Sequence, residues 1–173
     1  MSNYELILDV FFKKPLEEFG LRELSRITKV SPLSLKNYLK QMQESDLIKI
    51  RFHKSTKHPI YLANYNSEDF KLRKKLRTIL LMNDMGLIKE LNDLISPRTI
   101  ILFGSASRGE DNEHSDIDLF IQSEQKEIKL KNYEIKLNRK INLFFQKSFE
   151  KLSDELKNNI LNGIIVSGYF KVY

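Results

Sequence analysis

Asp116 and Asp118 stand two residues apart in the run Ser115-Asp116-Ile117-Asp118-Leu119-Phe120-Ile121. Side chains alternate along a strand, so the two carboxylates share one face, while Ile117 and Leu119 turn the other way into a core. Carboxylates side by side repel, and a cation between them is the simplest resolution. Hard oxygen ligands suit Mg²⁺ or Mn²⁺. Upstream, the apolar residues 100–103 read as a buried strand that ends at Gly104-Ser105. A strand turning into a helix presents backbone N–H groups that bind phosphate. Gly104 lets a phosphate approach the backbone, and Ser105 can donate its hydroxyl. Arg108 can reach the same anion or pair with Glu110 or Asp111. Gly109 is expected at positive φ, and Ser115 caps or orients the Asp loop. A phosphate cradle beside paired metal carboxylates suits a nucleotide with its metal.

As one pattern, Gly104-Ser105-x-x-Arg108-Gly109, a spacer and Ser115-Asp116-x-Asp118-Leu119 resemble the motif of the minimal nucleotidyltransferases of the DNA polymerase beta superfamily. The resemblance implies a short mixed sheet with helices on one side. It implies transfer of a nucleoside monophosphate from an NTP, foremost ATP, to a hydroxyl acceptor. Asp116 and Asp118 would be the catalytic residues and would hold Mg²⁺ or Mn²⁺. Gly104, Ser105, Arg108, Gly109 and Ser115 would surround the nucleotide. That family carries a third carboxylate on a later strand. Here the strand is 141–145, and the position is Asn142. An amide is neutral and accepts no proton at neutral pH, although its carbonyl can ligate a metal. Glu127, Glu134, Glu150 and Asp154 lie off that strand. The resemblance therefore leaves two readings open. One is an enzyme with weak transfer. The other is a transcriptional regulator or antitoxin-type protein with a catalytically dead nucleotide domain. A HEPN-type protein is the partner that such small enzymes imply.

The elements that must position these residues can be read in order. Tyr4, Ile7, Leu8 and Phe11 recur at helical spacing over 3–13. Pro15 and Gly20 break that helix. A second runs over 21–28, with Leu21, Leu24 and Ile27 inward. Ser31-Pro32 opens a third, with Ser as cap and Pro at the first helical position. Its buried stripe is Leu35, Tyr38, Leu39 and Met42. Residues 47–52 alternate like a strand, 53–59 form a basic turn, and 60–62 return as a hairpin. Three short helices and a hairpin resemble a winged helix-turn-helix. In that family the third helix enters the DNA major groove and the wing touches backbone. The resemblance makes Ser34, Lys36, Asn37 and Lys40 the base readers, and Arg51, Lys54, Lys57 and His58 the phosphate contacts. Protein binding or dimerisation is the other use of such a module, so a homodimer stays open.

Ser67 caps a long helix, with Glu68 and Asp69 in its first turn and Leu72, Leu76, Ile79 and Leu80 as its apolar stripe. Leu87, Ile88, Leu91, Leu94 and Ile95 form a second apolar face after Gly86, which marks a break or a close helix contact. Residues 128–140 fit a helix through Leu130, Tyr133 and Leu137, and a strand through Tyr133, Ile135 and Leu137. Ser148 is expected to cap a helix that buries Phe149, Leu152, Leu156 and Ile160 and stops at Gly163. A closing strand or tail covers 164–172. The fold class is α+β, with a winged helix-turn-helix over 1–64, a helical linker over 65–96 and a nucleotidyltransferase-like domain over 97–173.

Composition sets the remaining bounds. The chain has 173 residues, 41% of them hydrophobic, enough for a proper core, and no Cys, which excludes a disulfide framework or a thiolate metal site. His53, His58 and His114 lack the spacing of a Zn site. Net charge is +6, and residues 1–64 carry 11 Lys and Arg against 7 Asp and Glu, while 65–173 carry 18 against 16. The smaller N-terminal part is therefore the more basic, which permits nucleic-acid binding. No apolar run nears the roughly 20 residues that span a bilayer. The acidic amphipathic start lacks the form of a signal peptide, and a cytoplasmic protein without a membrane partner is expected.

Overall fold

The Ser2 side chain accepts from the Glu5 backbone N–H, and the Glu5 carboxylate accepts in turn from the Ser2 N–H. This reciprocal cap starts α1 (Asn3–Lys13) where the apolar spacing predicts it. The computed structural model describes residues 2–170. They divide into two units, one up to Lys74 and one from Lys75.

The first unit continues through β1 (Glu18–Gly20), α2 (Leu21–Thr28), α3 (Pro32–Glu44), β2 (Ile48–Phe52) and β3 (Pro59–Ala63). Ser31 accepts from the Ser34 N–H, with Pro32 at the first turn, as read from the sequence. Strands β2 and β3 form the expected antiparallel hairpin. Strand β1 was not expected: three residues are too short for an alternating pattern, and it is defined only by pairing with Tyr61 and its neighbours on β3. The sheet order is β1-β3-β2. Ile7, Phe11, Phe19, Leu24, Leu35, Leu39 and Met42 fill one core. Phe11 and Phe19 meet edge-on with centroids 5.5 Å apart. Ile27 corrects the sequence reading, for it is 50% exposed. The α2 helix is short and buries the line through Leu24, with Leu21 and the Thr28 hydroxyl beside it, so Ile27 falls to the side.

Helix α4 (Glu68–Asp84) contains the boundary between the units. The Ser67 hydroxyl accepts from the Phe70 N–H at 3.5 Å. The apolar stripe differs from the expected one. Leu72, Leu76 and Leu80 are exposed, whereas Phe70, Lys74, Thr78 and Met82 are buried. Those four follow the i, i+4 row of a helix. Phe70 packs in the first unit's core and Met82 in the second's, and these anchors turn the Leu row outward.

The second unit comprises α5 (Leu87–Ile95), β4 (Thr99–Phe103), α6 (Gly104–Arg108), β5 (Ile117–Ile121), α7 (Lys131–Leu137), β6 (Ile141–Phe145), α8 (Asp154–Leu161) and β7 (Ile164–Gly168), after the C-terminal part of α4. Gly86 breaks α4 from α5 in a left-handed conformation, with open space around it, so it marks no close helix contact. The sheet order is β6-β5-β4-β7, parallel between β5 and β6 and antiparallel elsewhere, which is the expected mixed sheet. Residues 128–140, open on periodicity, contain the helix α7.

Every residue of β4 is buried, which requires cover on both faces. One face packs Ile100, Leu102, Ile117 and Leu119 against Leu87, Ile88, Leu91 and Ile95. The other packs Ile101, Phe103 and Phe120 against Phe149 and Ile160. Helices therefore cover both sides of the sheet, not one. Leu94, read as part of the α5 apolar face, is exposed. The single helix expected after Ser148 is two pieces. A 3₁₀ turn at Phe149–Lys151 ends as Leu152 goes extended, and α8 starts anew from Ser153, whose side chain accepts from the Leu156 N–H. Of the tail read over 164–172, Lys171 and Val172 lie outside the described residues. Among those described, no helix is long and apolar enough to cross a membrane.

Candidate functional site

The site begins where β4 runs into α6. Phe103 pairs with Asp118 across the β4–β5 ladder, which sets Gly104 beside the Asp118 side chain. Gly104 has φ +71°, and a Cβ there would lie 2.6 Å from Asp118 Oδ2. The backbone conformation strains any side chain at this position, and the carboxylate would have to move to admit one. Gly109 closes α6 at φ +72°, as its place in the sequence predicts. Ser107 Oγ donates to the Gly104 carbonyl at 2.8 Å and ties the turn together. Ser105 is half-buried, and its hydroxyl has no hydrogen-bond partner among the described residues.

Asp116 and Asp118 lie on one face of β5 and its approach, as the alternation predicts, while Ile117 and Leu119 are fully buried on the other. In the parallel pairing of β5 with β6, Asp118 stands opposite Asn142. Asn142 thus stands beside the Asp pair, on the strand where the resemblance leads one to expect a third acid. Its Nδ2 donates to Asp118 Oδ1 at 2.9 Å and to Asp116 Oδ2 at 3.2 Å. Among the described residues, no cationic side chain forms an ion pair with either carboxylate. Nor do three or more His, Cys, Asp or Glu side chains gather as a metal cluster. The donor set is thus two carboxylates with one amide. These are hard oxygen ligands that fit a Mg²⁺ or Mn²⁺ ion once the amide presents its oxygen. Of the other acids named from the sequence, Glu134 accepts from the Ile141 N–H, and Asp154 pairs with Lys157.

Arg139 was missed by sequence reasoning and holds the loop that leads to the Asp pair. Its Nε donates to the Ser115 carbonyl at 2.7 Å, Nη1 to Asp111 Oδ2 at 2.6 Å and Nη2 to the Asp116 carbonyl at 2.9 Å. One planar guanidinium thus serves three acceptors along the loop. A lone Arg in a charged segment gives no sequence signal for this. Ser115 shapes the same loop, its Oγ accepting from the Asn112 N–H at 3.0 Å. Arg108, open between an anion and an ion pair, is bonded through Nε to Glu110 at 2.8 Å. A cleft of about 430 Å³ lies beside Asp116, with His114, Lys131, Glu134, Ile135 and Arg139 among its lining.

In the first unit, Lys36, Asn37 and Lys40 are exposed on α3. Ser34 is half-buried, and its hydroxyl accepts from Ser31 within the helix cap. Arg51, Lys54, Lys57 and His58 are exposed along β2 and the hairpin turn. That turn is closed by His53 N–H to the His58 carbonyl at 2.9 Å and Lys57 N–H to the His53 carbonyl at 3.0 Å. Arg51 also faces Glu18 at 3.5 Å.

No curated protein and no solved structure matches the chain. Residues 85–167 match the family model of the nucleotidyltransferase domain. That span holds the Gly104 turn, the Asp pair and the strand of Asn142, so the C-terminal part of this α+β chain carries a nucleotidyltransferase domain.

Proposed function

We propose that the second unit binds an NTP, foremost ATP, with Mg²⁺ or Mn²⁺, and transfers a nucleoside monophosphate weakly to an acceptor hydroxyl. The observation that carries this reading is the Asp116–Asp118 pair beside the Gly104 turn. The Gly104 backbone and the Ser105 hydroxyl bind phosphate oxygens at the turn. Asp116 and Asp118 hold the metal, with Arg139 fixing the loop that carries Asp116. A bound divalent ion supplies charge neutralisation at the attacking and leaving oxygens. Asn142 supplies no base, so acceptor activation is the weak point, and what transfer remains comes from positioning and charge. Calorimetry with ATP and GTP in the presence of Mg²⁺ tests the site without knowledge of the acceptor. The wild type is expected to bind and Asp116→Ala to lose binding. A wild type that binds neither nucleotide overturns the proposal.

The first unit is read as a winged helix-turn-helix that binds DNA. Helices α2 and α3 followed by the β2–β3 hairpin support this, with exposed Lys36, Asn37 and Lys40 on α3 and a basic turn. A gel shift on the DNA upstream of its own gene tests it, and no shift sinks it. Asn142 favours a second reading, a regulator or antitoxin-type protein, partnered by a HEPN-type protein, whose nucleotide domain no longer transfers. Labelled ATP separates the two. A labelled acceptor supports the enzyme, and none even with Asn142→Asp supports the regulator.

A further inference from the structure

The amide of Asn142 has two N–H bonds, and both are directed at carboxylates: Asp118 at 2.9 Å and Asp116 at 3.2 Å. Only the NH₂ end of an amide can donate, so the partners fix its orientation. With Oδ1 turned inward, the site would hold three acceptors and no donor. Like-charged groups brought together on one strand face need a counter-charge or a shared donor. Among the described residues no Lys, Arg or His forms an ion pair with either carboxylate. The parallel register that pairs Asp118 with Asn142 makes that half of the bridge a consequence of the sheet, and Arg139 holds the loop that brings Asp116 to the other half.

We infer that Asn142 is an internal stand-in for the divalent ion: its amide bridges Asp116 and Asp118 and must be displaced or turned over before the pair can hold a metal. The inference rests on the reading of that pair as a metal site. An Asp at this position would add a third repelling acceptor, and cation binding would relieve it. The Asn instead stabilises the metal-free pair and competes with the ion. Metal binding costs both amide hydrogen bonds, and the metal gains only a neutral oxygen if the amide turns. The metal-free form is therefore the resting state of this site, and divalent-ion concentration sets how much protein leaves it.

The test compares the full-length wild type, Asn142→Asp and Asn142→Ala. Thermal melting is followed in EDTA and then with Mn²⁺, and Mn²⁺ affinity is read from the free-ion signal in electron paramagnetic resonance. In EDTA the wild type is expected to melt highest and Asn142→Asp lowest, each lost kcal/mol shifting the midpoint by about 2–4 °C. Asn142→Asp is isosteric, so its loss reports the missing donor and the added charge and not a packing defect, and Asn142→Ala removes the donor without the charge. Mn²⁺ is expected to raise the melting point of Asn142→Asp most, Asn142→Ala next and wild type least. Its affinity for Asn142→Asp is expected to exceed that for wild type by about tenfold to a hundredfold. Equal Mn²⁺ affinity in wild type and Asn142→Asp, or equal melting of the three in EDTA, overturns the inference. So does Mn²⁺ binding by none of them, because the pair then holds no cation for the amide to replace. Nucleotide calorimetry on the same proteins separates this from the proposed function. The melting order without wild-type ATP binding leaves the stand-in in place and removes the nucleotide reading. ATP binding that loses nothing to the amide does the reverse.

Discussion

At Gly104 the left-handed backbone and the Asp118 carboxylate meet, and both reject a Cβ. Gly104→Ala is expected to cost about 1–3 kcal/mol in urea unfolding and to displace Asp118 from Asn142. The collision and the strained φ are separable. The double variant Gly104→Ala/Asp118→Ala should recover the collision part while keeping the φ part. A double-mutant cycle showing strict additivity would refute the contact. Arg139 makes an equally local claim. Its ion pair with Asp111 is largely buried, with side-chain exposures of 12% and 3%. Arg139→Ala is expected to cost about 3–5 kcal/mol. Arg139→Lys should restore only part of that, since one ammonium cannot reproduce a planar fork spread over three acceptors. Full rescue by Lys would reduce the clamp to a point charge.

Among the elements, the helix behind the sheet gives a direct comparison of two serines. Ser153 accepts from the Leu156 N–H at 3.3 Å, whereas Ser148 makes no side-chain cap. Ser153→Ala should lower stability by about 1 kcal/mol, and Ser148→Ala should change little, both read from urea midpoints. The sequence favoured Ser148 because Phe149, Leu152, Leu156 and Ile160 keep helical spacing right through the break at Leu152. Periodicity records which residues face a core but not where the backbone pauses between them. The Leu row of α4 failed for a related reason. Leu72, Leu76 and Leu80 have a clean helical spacing, yet Phe70 and Met82 decide which face is covered. Helix α7 was ambiguous for the opposite reason, since its apolar residues satisfy both periods. Tyr133 on α7 donates its hydroxyl to the Glu90 carboxylate on α5, which raises the phenol above its ordinary value. A raised folded-state value contributes stability that is fully present below the ordinary range near 10 and is lost as pH rises through the folded value. Tyr133→Phe should therefore lag the wild type at neutral pH, and the gap should close in strong alkali. A gap that persists at alkaline pH would remove Glu90 as its cause.

Over the whole molecule, what was legible follows from how local each feature is. The Gly104 turn and the Asp pair lie on short stretches with local signals, whereas the place of Asn142 opposite Asp118 joins strands far apart in the chain and was expected from the family resemblance alone. Arg139, β1 and the second covered face of the sheet arise from contacts between distant segments, which leave no spacing in the sequence. The charge asymmetry is also legible, and it yields a test that treats the two units as separate instruments. The larger excess of Lys and Arg lies in residues 1–64, and the hairpin turn exposes Lys54, Lys57 and His58. If these contact phosphates, each Lys removed should lower the slope of log affinity against log salt by about 0.9 on duplex DNA. Lys54→Ala/Lys57→Ala should then weaken every sequence alike. Lys36→Ala and Asn37→Ala on α3 should instead narrow the difference between preferred and random DNA. Asp116→Ala should leave both quantities unchanged while abolishing nucleotide binding. Fluorescence anisotropy over a salt series measures all of these. A salt slope indifferent to Lys54 and Lys57 would mean that the basic turn does not touch DNA, because electrostatic contact and counterion release are inseparable.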